Sequence, residues 1–587
     1  MNNPANRDKF RKLFLPALKL AAILCCVTFA NAQAILFRQV ADTKTDTHVE
    51  VTALFSDPSL GGFQPVRVYI SNRQLIRHDI YLKFQSSTEY QSSLSTSSDF
   101  SFSVEPGKSA TYDILVPLAA QNGYSSYEKF NASLSGTMGS TSYNDNSSFN
   151  FAQPIVLLSN TLHTPNASAL DSELASRGSS GYSGSSGQFS SRFSPSQLPD
   201  DWRAFSGFDS ILMTDNDWMD VPPGPRNAIT AWIRLGGRLI IYSENSQNPT
   251  ALGLPSDTSF GSYEIKSIKG ERLDPKPTVD LVIRRTIKTR LDAVTKDFNT
   301  TWPLQKELKG KDFNSVFFIL ILIAFGIIVG PVNLFYFAKS GRRHRLFITT
   351  PIISITTSLI LIVLIIFQDG FGGEGRRLVL MEVRPDENQN AAFIHQEQFS
   401  RTGVMTSPSF SIDASALFVP VPINSSRWSR FTNNTDSKGN YDIQPTGGKS
   451  YASGSWFQSR SEQGQLITAV VPTRGRIELA KEAGSIVSNF DFPIKTLLYH
   501  DEDGNWHRVE KLTKGKSAKL ISIDPTIVQT IFNDMTLKFT ERNLSFFTKV
   551  QDRKGYYIAI TTEAPAIETH PSIDWKTTTI ITGPIVR

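Results

Sequence analysis

Cysteine is almost absent from this 587-residue chain: there are two, Cys25 and Cys26, both inside one N-terminal apolar run. If that run is removed on export, the chain can form no disulfide, no thiolate nucleophile and no cysteine-ligated metal site. A large exported protein without disulfides suits a bacterial envelope. Histidine is scarce too, with eight residues scattered without metal-ligand spacing. There is no basic block: the net charge of +6 is spread over the whole length, which leaves nucleic-acid binding without a footprint. No fixed-period repeat is visible. Charged residues make up 19% and hydrophobic residues 40%, an ordinary globular balance with apolar segments added. At roughly 150 residues per domain, three or four folding units are expected.

The first 32 residues have the form of a signal peptide. Arg7, Lys9, Arg11 and Lys12 make a positive start, the apolar stretch is strongest from Leu20 to Phe29, and Ala30-Asn31-Ala32 supplies small residues for cleavage before Gln33. Lys19 interrupts the apolar run, and an uncleaved anchor is the alternative reading. A lipoprotein signal is disfavoured, because Leu24 stands where a small residue should precede Cys25.

Two further apolar runs are long enough to cross a bilayer. Phe313 to Ala338 is uncharged over 26 residues and Leu346 to Gln368 over 23, against about 20 needed for the hydrocarbon core. Gly330-Pro331 predicts a kink in the first, and Asn314, Asn333 and Gln368 sit near run ends, where they can reach the interface. The seven-residue connection, residues 339–345, carries Lys339, Arg342, Arg343 and Arg345 and no acid, which marks it as cytoplasmic. Lys309, Lys311, Arg376 and Arg377 flank the outer ends and reduce that contrast. The export signal independently places the preceding region outside. The expectation is a two-pass protein of the bacterial inner membrane, with both large soluble regions on the periplasmic side.

Residues 33–150 read as a β-sandwich: Val49, Val51, Ala53 and Phe55 alternate with polar residues, as do Val66, Val68 and Ile70, then Ile80, Leu82 and Phe84. Residues 151–300 change pattern. Ile155 to Leu158, Asp209 to Met213 and Arg238 to Tyr242 read as buried strands, Pro225 opens a helix with Ala228, Ile229, Trp232, Ile233 and Leu235 on one face, and Gly236-Gly237 stops it. This is a small α/β unit of flavodoxin-like type with a parallel sheet. A Ser/Gly-rich stretch, Ser179 to Ser191, interrupts it. Residues 374–587 read as one or two further β-domains, with strands near Leu378–Val383, Ala416–Val421 and Tyr556–Ile560, a hairpin about Asp501–Asn505, and a helix from Asp524 to Met535. The whole is a multidomain α+β membrane protein.

Three phrases, Leu198-Pro199-Asp200-Asp201-Trp202, Phe208 to Met213 and Ala231 to Leu239, together resemble the class I glutamine-amidotransferase-like fold. The chain is similar to the degenerate versions of that fold in bacterial membrane proteins of unknown function, and Gly330-Pro331-Val332-Asn333 with the Arg342-Arg343-His344-Arg345 loop shares in the likeness. The resemblance runs from about Phe151 to Phe367. It implies a fold and argues against the activity. Those enzymes carry a cysteine nucleophile after a central strand and a histidine base, whereas here Tyr242-Ser243-Glu244-Asn245 follows the strand and no histidine lies between His163 and His344.

Two constellations remain as candidate ligand-binding residues. Asp215 and Asp217, with Asp220, follow an α/β strand, where such folds hold polar ligands, although turn and N-cap chemistry before the helix is the favoured reading of the same residues. Ser243 and Glu244 follow the next strand; a serine nucleophile there needs a base, for which Glu244 or His163 is in reach of the chemistry without a supporting motif. Asp501 to Gly504 lacks the spaced ligands of a calcium loop and reads as a turn. No catalytic residue, cofactor or metal is assigned. The expectation is a non-catalytic, membrane-anchored binding or accessory subunit of an inner-membrane complex with a protein partner. The alternative is a periplasmic hydrolase that uses the α/β domain.

Overall fold

The computed structural model describes residues 34–56, 61–89, 94–119, 126–149, 155–177, 190–245, 249–255, 257–283, 302–308, 315–337, 340–385, 390–421, 423, 439–446, 448–540 and 543–586. The export segment with Ala30 and Ala32, most of the Ser/Gly stretch, and Lys339 lie outside the described residues. Among the described residues β-sheet is the main regular structure, in four sheets, with helices in the α/β unit, the apolar hairpin and the C-terminal region.

The N-terminal alternation builds two facing antiparallel layers. One holds Ala34–Asp42, Thr47–Ala53, Phe63–Ser71 and Ser109–Pro117; the other holds His78–Glu89, Leu94–Val104, Ser126–Gly136 and Thr141–Phe149. Because side chains alternate across a pleated strand, Val49, Val51, Val66, Val68 and Ile70 meet Ile80, Leu82, Phe84 and Phe130 between the layers.

The second layer does not end with the N-terminal region. Leu94–Ser97 pairs in parallel with Gly439–Asp442, and the sheet continues through Lys449–Gly454 to Phe410–Asp413, making seven strands from the two ends of the chain. Side chains reinforce the seam: Ser95 donates to Asn440 at 2.6 Å, Ser97 to Asp442, and Gln444 donates to Asp99 at 3.1 Å while accepting from the Asp99 N–H at 3.1 Å.

The α/β unit is a parallel sheet in the spatial order Ser190–Phe193, Val156–Ser159, Ser210–Thr214, Arg238–Ser243, Ser262–Ser267. Numbered along the chain this is 2-1-3-4-5, a doubly wound order with its switch point between Val156–Ser159 and Ser210–Thr214. The helices Asn160–Arg177 and Pro275–Ile283 cover one face through Leu162, Leu170, Leu174 and Val279. The helix Pro223–Arg234 covers the other through Ile229, Trp232 and Ile233. It starts two residues before Pro225, because Pro223 also presets the backbone of the first turn. Asn160–Arg177 is a helix without an apolar stripe, rich in Asn, Thr and Ser, and with Pro165 inside it.

The C-terminal region forms a twelve-stranded sheet. At its centre Gly373–Arg384 lies antiparallel to Ala391–Thr402 and parallel to Ile573–Val586. The hairpin Ile494–His500 and Trp506–Leu512 joins it through Tyr556–Thr561. The helices Pro525–Thr536 and Leu544–Asp552 pack Val528, Phe532, Phe546 and Phe547 on one face, together with Trp302, Leu304 and Leu308 from the segment ahead of the apolar hairpin.

Among the described residues two helices are long and apolar enough to cross a membrane. The first runs α-helically over Ser315–Ile327 and then as a wide π-type turn over Ile328–Phe337 around Pro331. Proline has no N–H for the ordinary four-residue bond, and the wider register absorbs the gap. The second is Leu346–Asp369. Asn333, expected near the interface, is instead fully buried between the two helices: it donates to Thr350 at 2.9 Å and accepts from Thr349 at 2.6 Å. Arg377 is also buried, stacked on Trp575 at 4.3 Å and bonded to Glu568 and Thr569, so its charge is neutralised within the fold.

Candidate functional site

The switch point of the α/β sheet is where doubly wound folds hold ligands. Here the two strand ends that flank it are bridged by the chain's own Asp217 carboxylate. Ser210–Thr214 ends in Thr214, which caps the short helix Asp215–Asp220; Asp217 completes the capping box by accepting from the Thr214 N–H at 3.0 Å. From the neighbouring strand end, Ser159 donates to Asp217 at 2.7 Å and Thr161 at 2.8 Å. Asp217 is buried, and both of its carboxylate oxygens accept hydrogen bonds at this strand junction.

Asp215 and Ser243 are brought together one strand over. The buried Ser243 hydroxyl lies 2.6 Å from an Asp215 oxygen and 2.5 Å from the Asn245 carbonyl, and accepts from the Asn245 N–H at 3.2 Å. A hydroxyl ringed this way is held as a turn-closing donor; an attacking oxygen needs a free lone pair aimed at substrate and a base to take its proton. Glu244 points elsewhere, accepting from the Gly270 N–H at 2.9 Å. His163 sits on the Asn160–Arg177 helix and Asp220 is exposed at the end of its own. Among the described residues no group of three or more His, Cys, Asp or Glu side chains is placed to share a cation.

The structure draws together a second set of residues that the sequence did not single out. A cavity of about 400 Å³ opens where the sandwich, the α/β unit and the C-terminal region meet. Phe63, Pro65 and the end of Ser109–Pro117 give one wall, Pro199, Asp200, Asp201 and Arg203 a second, and Ala414 with Pro445, Thr446, Gly448, Lys449 and Ser450 the third. Arg203 ties the three. Its guanidinium lies over the Phe63 ring at 5.3 Å, grips Asp201 in a fork, and donates to the Ala414 carbonyl. The lining mixes apolar and proline side chains with polar ones, Asp113, Asp200 and Lys449 among them. Asp113 is clamped by Arg67 at 2.7 and 2.8 Å, a bond that raises the Arg67 pKa.

A third cluster is buried. Arg234 of the α/β unit and Glu382, Arg384 and Arg553 of the C-terminal region converge with Asp257 and Tyr556. Glu382 is fully enclosed, 3.4 Å from Arg384 and from Arg553 and 3.9 Å from Arg234. Burial raises the Asp257 pKa, yet Arg384 and Arg553 outweigh it and hold the carboxyl below its ordinary value. Burial pushes the Tyr556 phenol up to about 12. Three guanidiniums against two carboxylates, each also bonded to backbone or hydroxyl groups, make a fastening between regions. These residues are up to 322 positions apart in sequence (Arg234 to Tyr556), so no local motif announces them.

No model of a known protein family matches the chain, and no curated protein matches it. Among solved structures, part of the chain is similar to a Paenibacillus cycloisomaltooligosaccharide glucanotransferase, at 10% identity and a TM-score of 0.16 over 34% of this chain and 28% of that one. Part is similar to the yeast delta-COP-I mu-homology domain, at 9% identity and 0.16 over 36% and 95%. Part is similar to Bacteroides uniformis beta-glucuronidase 2, at 8% identity and 0.14 over 41% and 31%. The chain thus spans under a third of the glucanotransferase and of the glucuronidase. Overlaps of this size carry no argument about function.

Proposed function

We propose that this protein is a non-catalytic, membrane-anchored binding subunit of the bacterial envelope, working beside an inner-membrane partner protein. One observation carries the reading: at the switch point of the α/β sheet Asp217 is buried and held by Ser159, Thr161 and Thr214 across the strand ends, while an open cavity lies at the junction of all three soluble regions. The strand order supports a degenerate amidotransferase-like lobe used as a structural part. The membrane reading rests on the two apolar helices, whose side chains face outward, and on the basic Arg342, Arg343 and Arg345 at their connection. A chain that crosses twice returns to the side it left, and the regions before and after the hairpin share a sheet. The export signal and the basic loop make that side the periplasm.

A photo-crosslinking amino acid at Lys449, on the cavity rim, tests the reading in cells. After mild-detergent purification, mass spectrometry should find one stoichiometric membrane protein joined to it. A chain crosslinked only to itself sinks the accessory role. The rival, a periplasmic hydrolase, would have to use the Ser243–Asp215 pair, whose side chains lie 2.6 Å apart. In that case a Ser243→Ala, Asp215→Asn double variant would fold and lose function, whereas a binding subunit keeps it.

A further inference from the structure

The two layers of the N-terminal sandwich are unequal, and the shorter one stops at a regular open edge. Ser109–Pro117 is the last strand of the four-stranded layer. Its hydrogen-bonding direction follows from its neighbour. Pro65 has no N–H, and its C=O accepts from the Leu54 N–H at 3.0 Å on the far side, so Pro65 and Leu115 face each other as a non-bonded pair. Two residues beyond the Gln64–Val116 pair, Leu118 donates to Gly62 at 2.9 Å, which fixes the even-numbered residues of Ser109–Pro117 as the bonded set. Thr111, Asp113 and Leu115 therefore direct both N–H and C=O outward, at a repeat of about 6.8 Å. Among the described residues no strand pairs with that side.

The facing layer does not stop there. Leu94–Val104 lies opposite Ser109–Pro117, with the Phe102 and Tyr112 rings 4.6 Å apart, and the next strand of its sheet is Gly439–Thr446. Tyr441 pairs with Thr96, so Ile443 projects from the same side of the sheet as Phe100 and Phe102. The cavity of about 400 Å³ lies between these parts: Asp113, Ile114 and Leu115 of the open edge line it, and so do Phe100, Ile443 and Pro445 of the facing layer. It is the space that one further strand of the shorter layer would take.

Exposed edges are ordinarily blunted by bulges, prolines or charges. The opposite edge of the same layer, Ala34–Asp42, carries two register irregularities, between Ile35 and Phe37 and between Val40 and Asp42. Ser109–Pro117 pairs with Phe63–Ser71 residue for residue over its whole length, has no proline before Pro117, and carries one charge, Asp113, which Arg67 holds at 2.7 Å. Charge at the cavity also cancels: Asp113, Asp200 and Asp201 are matched in number by Arg67, Arg203 and Lys449.

We propose that Ser109–Pro117 is a strand-addition site, which takes an extended, uncharged segment of the partner protein as a fifth strand of the shorter layer. The segment's backbone pairs with Thr111, Asp113 and Leu115, and its alternate apolar side chains enter the cavity over Phe100 and Ile443. The inference rests on the binding-subunit reading and names how that subunit holds its partner. Only an extended backbone matches outward N–H and C=O groups at this repeat, and a cavity without net charge favours apolar over charged side chains.

The test places the photo-crosslinking amino acid at Thr111, an exposed position on the edge strand, in the full chain in cells, beside the same probe at Lys449. Both are expected to capture one membrane protein, and the Thr111 crosslink should map by mass spectrometry to an uncharged stretch of it. Asp113→Pro and Asp113→Ala are then compared with the probe at Thr111. Both lose the carboxylate, but only the proline lacks the outward N–H, which the fold's own pairing does not use; its crosslink yield should be about tenfold below that of Asp113→Ala. Hydrogen exchange on the purified adduct reads the same bonds without those substitutions. The Asp113 and Leu115 amides, fast in the free chain, should slow by about tenfold or more and join those of Tyr112 and Ile114. If Lys449 captures a partner while the Asp113 and Leu115 amides stay fast, the two Asp113 variants crosslink alike, or the Thr111 crosslink maps to a charged segment, strand addition is wrong and the binding-subunit reading stands. If neither site captures a membrane protein, that reading falls and takes the strand-addition site with it.

Discussion

Hydrogen bonding at single residues separates structural from chemical roles in the α/β unit. Asp217 closes a capping box and receives Ser159 and Thr161, so its removal leaves two hydroxyls and one backbone N–H without their acceptor. Losing the cap costs about 1 kcal/mol and each stranded buried donor about 1 to 3 kcal/mol. Asp217→Ala is expected to lower unfolding stability by about 3 kcal/mol in a denaturant titration, whereas Ser243→Ala, which gives up one hydroxyl at a turn, lowers it by about 1 kcal/mol. Equal effects would show that Asp217 is not the structural member of the pair. Asp257 makes a different prediction, because its carboxyl is held below the ordinary value of 3.8 by Arg384 and Arg553. A carboxylate with a depressed folded-state pKa contributes stability above its unfolded value and loses it as pH falls through the folded value. The melting temperature of the native chain should therefore fall more steeply below pH 4 than that of Asp257→Asn; parallel curves would remove the ion pair from the account.

Among secondary-structure elements, legibility tracked how local the determining physics is. The alternation of Val49, Val51 and Ala53 and of Val66, Val68 and Ile70 marked Thr47–Ala53 and Phe63–Ser71, because a strand with one face in a core writes its period into four or five residues. The apolar face around Trp232, Pro225 and Gly236-Gly237 marked the helix Pro223–Arg234, and the Asp501–Asn505 turn marked its hairpin. The helix Asn160–Arg177 left no such trace: its few buried leucines are lost among Asn, Thr and Ser, and packing against the sheet overrides weak propensity. The candidate site was legible only in part. Asp215 and Ser243 sit at adjacent strand ends, as parallel-sheet reasoning requires, so their meeting followed from strand order. Asp217's partners come from another strand end, and the Arg203 contacts come from both other regions, which no sequence window contains. Gly261 shows the same limit: a Cβ there would meet the Ile233 carbonyl at 1.9 Å, a close approach invisible without the fold.

For the molecule as a whole, the apolar hairpin divides the sequence but not the structure. The seven-stranded sheet takes strands from both sides of it, Phe393 of the C-terminal region sits in the same apolar cluster as Trp232 and Phe55, and Glu382 meets Arg234. Breaking a buried ion pair by removing one partner costs about 3 to 5 kcal/mol, and the sheet seam and shared core add to it. The two halves should therefore hold together without a covalent link. A protease site placed at Gly341, in the short connection between the two apolar helices, makes the cut possible in an otherwise intact chain. After cleavage in mild detergent, the fragments are expected to co-elute as one species. They should still do so with Asn333→Leu, which deletes the hydrogen bonds between the helices themselves, because the soluble regions carry the association. Adding Glu382→Ala should then release a measurable fraction, by leaving three guanidiniums in the interface with Asp257 as their one carboxylate. Separation of the fragments on cleavage alone would mean that the shared sheet does not bind the two ends of the chain, and that the hairpin is a true boundary between independent domains.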